Sequence, residues 1–458
     1  MLLNRLKEIV GDKNVSNSAS DICCYSSDAS QVKGRPEYVV RPHNSEQVSK
    51  IVKLASENEI PVVARGAASG LAGGAVPVRG GIVLDMSGMD EIIDIDIDNL
   101  QVTIGPGVVH SRLNETLKPY GFFFPPDPGS TAMCTLAGLI ANNGSGMRSV
   151  KYGTTKRYVL DLEVVLADGS IIRTGSRTLK MASGYDLTSL MVGSEGTLGI
   201  ITEAVLKIHP LPRARLVILL SFDSAEKAGG AVVRILSSGT IPSACEILDN
   251  TTIRALKSYD PSLDIPDAGA ILMVEVDGSE GAVSEASEMV KKVCEGIADD
   301  IRAARDEQES DRIWAGRRIV GAAISRLDPL RNRVYVGEDV GVPIKKIPEM
   351  IENVHRISDE VGIPIMIYGH IGDGNLHTGM SIDMLSEEEW DKLHRAADLI
   401  YRKAIELGGT VSAEHGIGGA RSNYMELEHP TSLPVMSLIK KALDPKGILN
   451  PGKLGLDK

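Results

Sequence analysis

No stretch of this chain approaches the roughly 20 consecutive apolar residues that a membrane-crossing helix needs. The opening MLLNRLKEIV carries charges at positions 5, 7 and 8, which break the apolar core a signal peptide would require. A cytoplasmic location is therefore expected, or a peripheral one held by a partner, with no integral membrane segment. Basic stripes are missing as well. With 49 Lys and Arg against 61 Asp and Glu the net charge is −12, the wrong sign for a phosphate-backbone partner, so no nucleic acid is expected to bind. Cysteine is scarce and badly spaced for metals. The five, at positions 23, 24, 134, 245 and 294, include no Cys-x-x-Cys, which excludes a zinc ribbon or an iron–sulfur cluster within the chain and suits a reducing compartment. Aromatics reach only 4% while Gly numbers 47, so the unusual composition lies in loops rather than in ring packing.

At 458 residues the chain exceeds what one core serves, since single cores stop growing near ~250–300 residues, and two or three domains are expected. Leu2 to Val10 reads as an amphipathic helix. Tyr38 to Val40 reads as a strand, Ser45 as the cap of a helix over 45–58 with Val48, Ile51, Val52 and Leu54 as its apolar stripe, and 60–64 as the next strand. RGAASGLAGGAVP (65–77) follows at once. A strand followed by such a loop bares consecutive backbone N–H groups, as close approach to a pyrophosphate requires. It is neither a Walker loop nor a G-x-G-x-x-G turn. PPDPGSTAMCTLAGLIANNGSG (125–146) adds three prolines that stiffen the backbone and the hydroxyls of Ser130, Thr131 and Thr135. MVGSEGTLGIITEAVLKIHP (191–210) is a third such loop, leading into a strand. Three donor-rich loops on one α/β domain imply a long, anionic, nucleotide-like ligand; ordinary turns of a large domain are the plainer alternative.

Further on, YGHIGDGNLH (368–377) sets two histidines about an Asp-Gly pair between apolar runs. Asp-Gly is a strong signal for a two-residue hairpin loop. With Asp373 and Gly374 as that loop, His370 faces His377, and directly opposite residues lie roughly 4.5–5.5 Å apart at Cβ, within reach of one metal ion. After Pro212 the order strand (217–220), helix (224–237), strand (244–248), strand (270–276), helix (281–297) is that of a ferredoxin-like half. DRIWAGRRIVGAAISRL (311–327) reads as an amphipathic helix with Ile313, Ile319 and Ile324 inward, on which Arg317 and Arg318 are equivalent by pattern. A helix over 386–407 and a short strand over 410–413 deliver Glu414 and His415, and LIKKALDPKGILNPGK is a last helix stopped at Asp444-Pro445.

Seven motifs, in matching order across about 36–453, carry a family resemblance. RGAASGLAGG, DPGS (127–130), KYGTTKRYVLDLEVVLADG (151–169), GYDLTSLMVGSEGTLGIITEAVLKIHPLP (184–212), HIGDGNLH (370–377), EHGIG (414–418) and LDPKGILNPGK (443–453) resemble the FAD-linked D-2-hydroxyacid dehydrogenases of the vanillyl-alcohol oxidase/p-cresol methylhydroxylase superfamily, near the glycolate oxidase FAD subunit and the flavin D-lactate dehydrogenases. Three departures are small for small: Ala64 for a usual Pro, Ala68-Ser69 for Gly-Thr, and Leu136-Ala137-Gly138 for Ile-Gly-Gly. The resemblance implies an α+β fold: a helical segment (1–35), a PCMH-type FAD-binding domain of two α/β subdomains (36–213), a ferredoxin-like cap (214–412) and a C-terminal segment returning to the flavin (413–458).

By matching motifs, the resemblance implies FAD contacts at Arg65, Gly66, Ala67, Ala68, Ser69, Gly70, Asp127, Pro128, Gly129, Ser130, Thr135, Gly138, Asn142, Gly144, Ser145, Glu195, Gly196, Gly199, Ile200 and Asn450. The FAD is expected to be non-covalent, because loop 65–74 has no His or Cys. His370, His377 and Glu414 are implied as a divalent-metal site. Two neutral nitrogens and a carboxylate with a vacancy form a catalytic set, suited to Zn²⁺ or Mn²⁺. Arg317, in the WAGR pattern, is implied to pair the substrate carboxylate, and His415 to act as general base. The expected substrate is a small D-2-hydroxy acid of the D-lactate or glycolate class. A D-2-hydroxyglutarate dehydrogenase, a redox-neutral flavin synthase and a non-catalytic electron-relay subunit are alternatives. Electrons would leave to a separate iron–sulfur subunit, quinone, electron-transfer flavoprotein or oxygen, and an oligomer is compatible with all of this.

Overall fold

The computed structural model describes residues 2–456. The chain divides into two compact units, one formed by Met1–Ser145, Thr154–Leu211 and Glu414–Lys458, the other by Gly146–Gly153 and Pro212–Ala413.

The first unit contains two sheets. In one, Tyr38–Val40 and Val62–Arg65 flank Ile82–Asp85 in parallel, and Val15–Ser16 joins antiparallel at the edge. Parallel neighbours need a crossover, and Ser45–Glu57 supplies it as a helix. Its stripe of Val48, Ile51, Val52, Leu54 and Ala55 is buried in one cluster with Ile82, Leu84 and, from helix Leu2–Val10, Leu6 and Val10. The cap of the crossover helix is Asn44, not Ser45: the Asn44 side chain accepts from the Gln47 N–H at 2.9 Å, leaving Ser45 as the first helical residue. Such a cap contributes about 0.5–2 kcal/mol. The other sheet is antiparallel throughout, in the order Ile92–Asp96, Gln101–Ile104, Ile200–Lys207, Val159–Val165, Ile171–Arg173. These two sheets are the two subdomains expected of a PCMH-type FAD-binding domain. Residues after helix Leu433–Leu443 rejoin the first sheet, where Leu449 bridges Val62 in parallel and Ile448 and Leu449 are buried.

In the second unit, strands Asp300–Ala303, Ala214–Phe222, Ala270–Gly278 and Ala244–Asp249 lie side by side in that order, antiparallel, with helices Ala225–Ser237 and Glu280–Cys294 as connections. This is the ferredoxin-like arrangement, completed by a strand over 300–303 that the sequence pattern did not show. Ala270–Gly278 is covered on both faces, which is why it opens with AILMV, an apolar run with no alternation. The sheet continues through Ile365–Gly369, Asn375–Ile382 and Asn332–Val334. Helix Glu307–Arg326 seats Ile313, Trp314, Val320 and Ile324 in a core cluster, while Ile319, expected inward, is only half-buried because Val320 takes that position. The strand expected over 410–413 is reduced to one bridge between Thr410 and Gly341.

Candidate active site

The hairpin register differs from the sequence expectation. Tyr368, not His370, stands opposite His377. A two-residue type I′ loop needs positive φ at both central residues, and here only Gly374 has it, at 87°. Instead, Ile371–Asp373 forms a 3₁₀ turn, and Asn375 and Leu376 pair with Val340–Gly341. That third strand draws the start of Asn375–Ile382 away from its hairpin partner, so His370 sits on the connection rather than on a strand.

The two rings nonetheless meet edge to face, 5.1 Å between centroids, and both residues are buried. Two imidazoles bound tetrahedrally to one ion at about 2.0–2.1 Å hold their ring centres roughly 5 Å apart. His370 Nδ1 lies 2.6 Å from Oε1 of Glu246, and Oε2 of Glu246 accepts from Arg317 Nε at 2.5 Å. Glu246 is fully buried. Burial alone would raise its carboxyl pKa, but His370 and Arg317 beside it hold it below the usual range. The Arg317 guanidinium also lies over the Tyr368 ring, 5.5 Å from its centre. The structure separates the two arginines that sequence left equivalent: the Arg317 side chain is 14% exposed and Arg318 61%.

Other residues of this unit escaped the sequence reading. Tyr368 donates to buried Glu338, which also receives Arg333. Burial and Glu338 raise the Tyr368 pKa well above its usual value, so the phenol stays a donor. Asp339 has a carboxylate oxygen within 4.8 Å of a His377 ring nitrogen and accepts from Asn375 Nδ2 at 3.0 Å and Ser412 Oγ at 2.8 Å. Its φ of 77° is a left-handed conformation that costs a non-glycine residue about 1 kcal/mol or more. No sequence signal marks Glu246, a lone carboxylate inside a short apolar strand, or Asp339.

In the first unit, the expected flavin residues other than Gly66 and Thr135 fall into three groups. Asn142, Ser145, Glu195 and Asn450 hold segments together. Asn450 Nδ2 donates to the carbonyls of Gly74 at 2.9 Å and Glu195 at 2.7 Å, tying the first glycine loop to the third. The buried Glu195 carboxylate accepts the N–H groups of Ile417 and Gly418, each at 2.7 Å, and burial raises its pKa. Gly418 is required there, because a side chain would overlap the Ala72 carbonyl and its φ is 50°. Asn142 Nδ2 reaches the His415 carbonyl at 3.3 Å, and Ser145 Oγ lies 3.3 Å from Glu414 Oε2. Glu414 and His415 stand 3.5 Å apart at Oε1 and Nε2.

A second group packs. Arg65 turns its guanidinium to the Ser27 carbonyl at 2.7 Å and over the Tyr25 ring, so its side chain secures the N-terminal segment. Gly199 and Ile200 are buried, with Gly199 against Val164, and the Gly144 carbonyl accepts from Thr155 Oγ1 at 2.7 Å.

The third group is accessible. Ala67, Gly129 and Gly138 are exposed, and Ala68, Ser69, Gly70, Asp127, Pro128, Ser130 and Gly196 half-buried. A missed residue, His110, braces the second loop: Nε2 lies 2.5 Å from the Pro126 carbonyl and Nδ1 2.5 Å from Thr131 Oγ1. Its ring is buried, which lowers its pKa.

Thr135 is different from all of these. It occupies the N-cap of Leu136–Asn142 yet makes no capping bond. Its buried hydroxyl has no hydrogen-bond partner among the described residues and lies where a Cβ on Gly66 would sit.

Comparison with known proteins accounts for this construction. The FAD binding domain matches residues 36–175, and the FAD linked oxidases, C-terminal domain, residues 211–454. Glycolate oxidase subunit GlcD of Bacillus subtilis is 37% identical over 454 residues, covering 98% of this chain and 96% of that protein. The chain belongs to the FAD-linked oxidases. D-lactate dehydrogenase of Archaeoglobus fulgidus is 37% identical over 417 residues, 91% of this chain and 90% of that one. In fold, this FAD-linked oxidase is similar to p-cresol methylhydroxylase with substrate bound, at a TM-score of 0.80 and 18% identity over 100% of this chain and 96% of that one.

The FAD-linked oxidase has the fittings that FAD needs. Besides Thr135 Oγ1, Asn450 Oδ1 is buried without a hydrogen-bond partner among the described residues. Both stand beside glycine loops, where a polar ligand would satisfy them. The second unit offers donor types that suit a divalent ion: two imidazoles meeting edge to face, one with Nδ1 held by a carboxylate, and the Asp339 carboxylate near His377 alone of the two.

Proposed function

We propose that this FAD-linked oxidase converts a small D-2-hydroxy acid, of the D-lactate or glycolate class, to the 2-keto acid. One observation carries the reading: Arg317 and His370 share a buried carboxylate beside His377, so a group suited to a carboxylate and a group suited to a metal ion are built as one piece. The names of the relatives from Bacillus subtilis and Archaeoglobus fulgidus support the substrate class.

Bound FAD, held non-covalently, supplies the acceptor for the C2 hydrogen and its electron pair, and a divalent ion, Zn²⁺ or Mn²⁺, supplies Lewis acidity at the hydroxyl. The protein's part is to anchor, orient and move one proton. Arg317 presents two Nη donors to the substrate carboxylate in a fork that a lysine could not copy. His370, His377 and Glu414 would hold the ion, with Asp339 as a further carboxylate near His377. His415 takes the hydroxyl proton. Glu195 and Asn450 keep the 414–418 turn and the glycine loops in register for the flavin. With no Cys-x-x-Cys in the chain, electrons pass to a separate acceptor, and the subunit in the name of the Bacillus subtilis relative agrees with a partner protein.

Anaerobic mixing of the FAD-loaded protein with D-lactate, glycolate and a panel of D- and L-2-hydroxy acids tests this directly. Flavin absorbance near its visible maximum should bleach with D-acids or glycolate. Bleaching by none of them refutes the proposal.

A further inference from the structure

We propose that Glu246 is a positioning residue for this oxidation: one buried carboxylate sets both the direction of the Arg317 fork and which nitrogen of His370 is left for the ion. The inference rests on the hydroxy-acid reading above and deepens it, because it makes substrate anchoring and ion binding depend on the same side chain.

Glu246 is held by its backbone before it holds anything else. Its strand, Ala244–Asp249, is hydrogen-bonded to Ala270–Gly278 on one side and to Ile365–Gly369 on the other. From there Oε1 reaches His370 Nδ1 at 2.6 Å and Oε2 reaches Arg317 Nε at 2.5 Å, and among the described residues it makes no other hydrogen bonds. The contrast with Asp249 on the same strand is informative. That carboxylate caps a helix through the Thr252 N–H at 2.8 Å, a structural use. Glu246 serves two side chains only, both of them assigned to the reaction.

Each contact has a chemical consequence. A carboxylate accepts hydrogen bonds and donates none, so Nδ1 of His370 carries the proton and Nε2 keeps its lone pair. Metal-ligating histidines are oriented in this way, and loss of such a partner costs about 10–100-fold in metal affinity. On the arginine, Glu246 engages Nε rather than an Nη, which leaves the end of the fork, Nη1 and Nη2, for bidentate capture of a carboxylate. The Tyr368 ring beneath the guanidinium fixes its plane.

The test is Glu246→Gln in the FAD-loaded full chain. Gln keeps the shape, but its NH₂ must face one of two N–H donors. Zn²⁺ affinity, measured by chelator competition, should fall ~10–100-fold. Binding of oxalate, read from the shift in flavin absorbance, should weaken roughly tenfold through loss of a charge-assisted contact. If the Gln variant does not accumulate with FAD, Glu246→Asp replaces it: the charge stays, but the shorter side chain cannot span both partners, so at least one of the two constants should fall. Wild-type values for both constants, even with a lowered Tm, overturn the proposal and leave Glu246 a structural residue. The outcome is separable from the functional reading. If no 2-hydroxy acid bleaches the wild-type flavin, that reading fails, while the Zn²⁺ and oxalate titrations still decide the role of Glu246.

Discussion

Thr135→Val should stabilise the flavin-free protein and weaken its hold on FAD. Valine matches threonine in shape and removes only the hydroxyl, which in Thr135 is buried, makes no capping bond, and has no hydrogen-bond partner among the described residues. Burying a hydroxyl without a partner costs ~1–3 kcal/mol. Removing it should stabilise the flavin-free protein by that amount, a Tm rise of about 2–12 °C at ~2–4 °C per kcal/mol. Bound FAD is expected to supply the missing partner, so the same ~1–3 kcal/mol is recovered on binding in the wild type and absent in the variant, and the Kd for FAD should rise ~5–150-fold. Thermal unfolding of flavin-stripped protein gives the first quantity, and titration with FAD followed by quenching of flavin fluorescence gives the second. A lower Tm of the stripped variant with an unchanged Kd would show that the hydroxyl is satisfied within the protein and that the loop is not built around a ligand there.

The remaining predictions concern the ion, the proton and acid. His377→Ala should lose the ion and turnover yet keep its yellow flavin, read by metal analysis beside the absorbance spectrum. His415→Asn should keep both, and flavin reduction should slow by ~10²–10⁴; a near-wild-type rate assigns the base to another residue. His110 titrates with a definite sign. Burial lowers its folded pKa, so the bracing of the second loop by the neutral ring is fully present above the unfolded value of about 6.5 and is lost as pH falls through the lowered folded value. FAD retention on gel filtration should therefore be unchanged at about pH 6.5 and decline only at lower pH, as the folded ring gains its proton, and His110→Gln should flatten that dependence.

The glycine loops and the ferredoxin-like order were legible because each rests on local chemistry: turn residues, apolar periodicity, a strand before a loop. The hairpin register was not. Asp373-Gly374 carries every local sign of a two-residue turn, and the competing partner, Val340–Gly341, lies more than thirty residues upstream. Ser45 lost the cap to Asn44 for a smaller reason of the same kind, since two capping residues stand in a row and only the backbone decides between them. Glu246 was hidden because one carboxylate in a short apolar strand carries no local sign of its partners, and only a sheet covered on both faces makes it a buried anchor. Arg317 could be told from Arg318 by resemblance and not by pattern, as both fit an amphipathic helix.

The return of the last residues to the first unit has a consequence for how the protein is made. Leu449 pairs with Val62 and Asn450 ties Gly74 to Glu195, so the flavin-binding unit lacks part of its sheet and its loop clasp until Leu449 and Asn450 have been made. The second unit, apart from Gly146–Gly153, is contiguous from Pro212 to Ala413 and can assemble on the ribosome first, reversing the usual N-terminal-first order. Closing roughly 390 residues of chain costs little more than closing a hundred, because the entropy grows only logarithmically, and it costs less once the intervening unit has folded and shortened the gap. Flavin loading thereby reports that synthesis has passed Asn450: a chain cut short before Leu449 can fold its second unit and still emerge colourless.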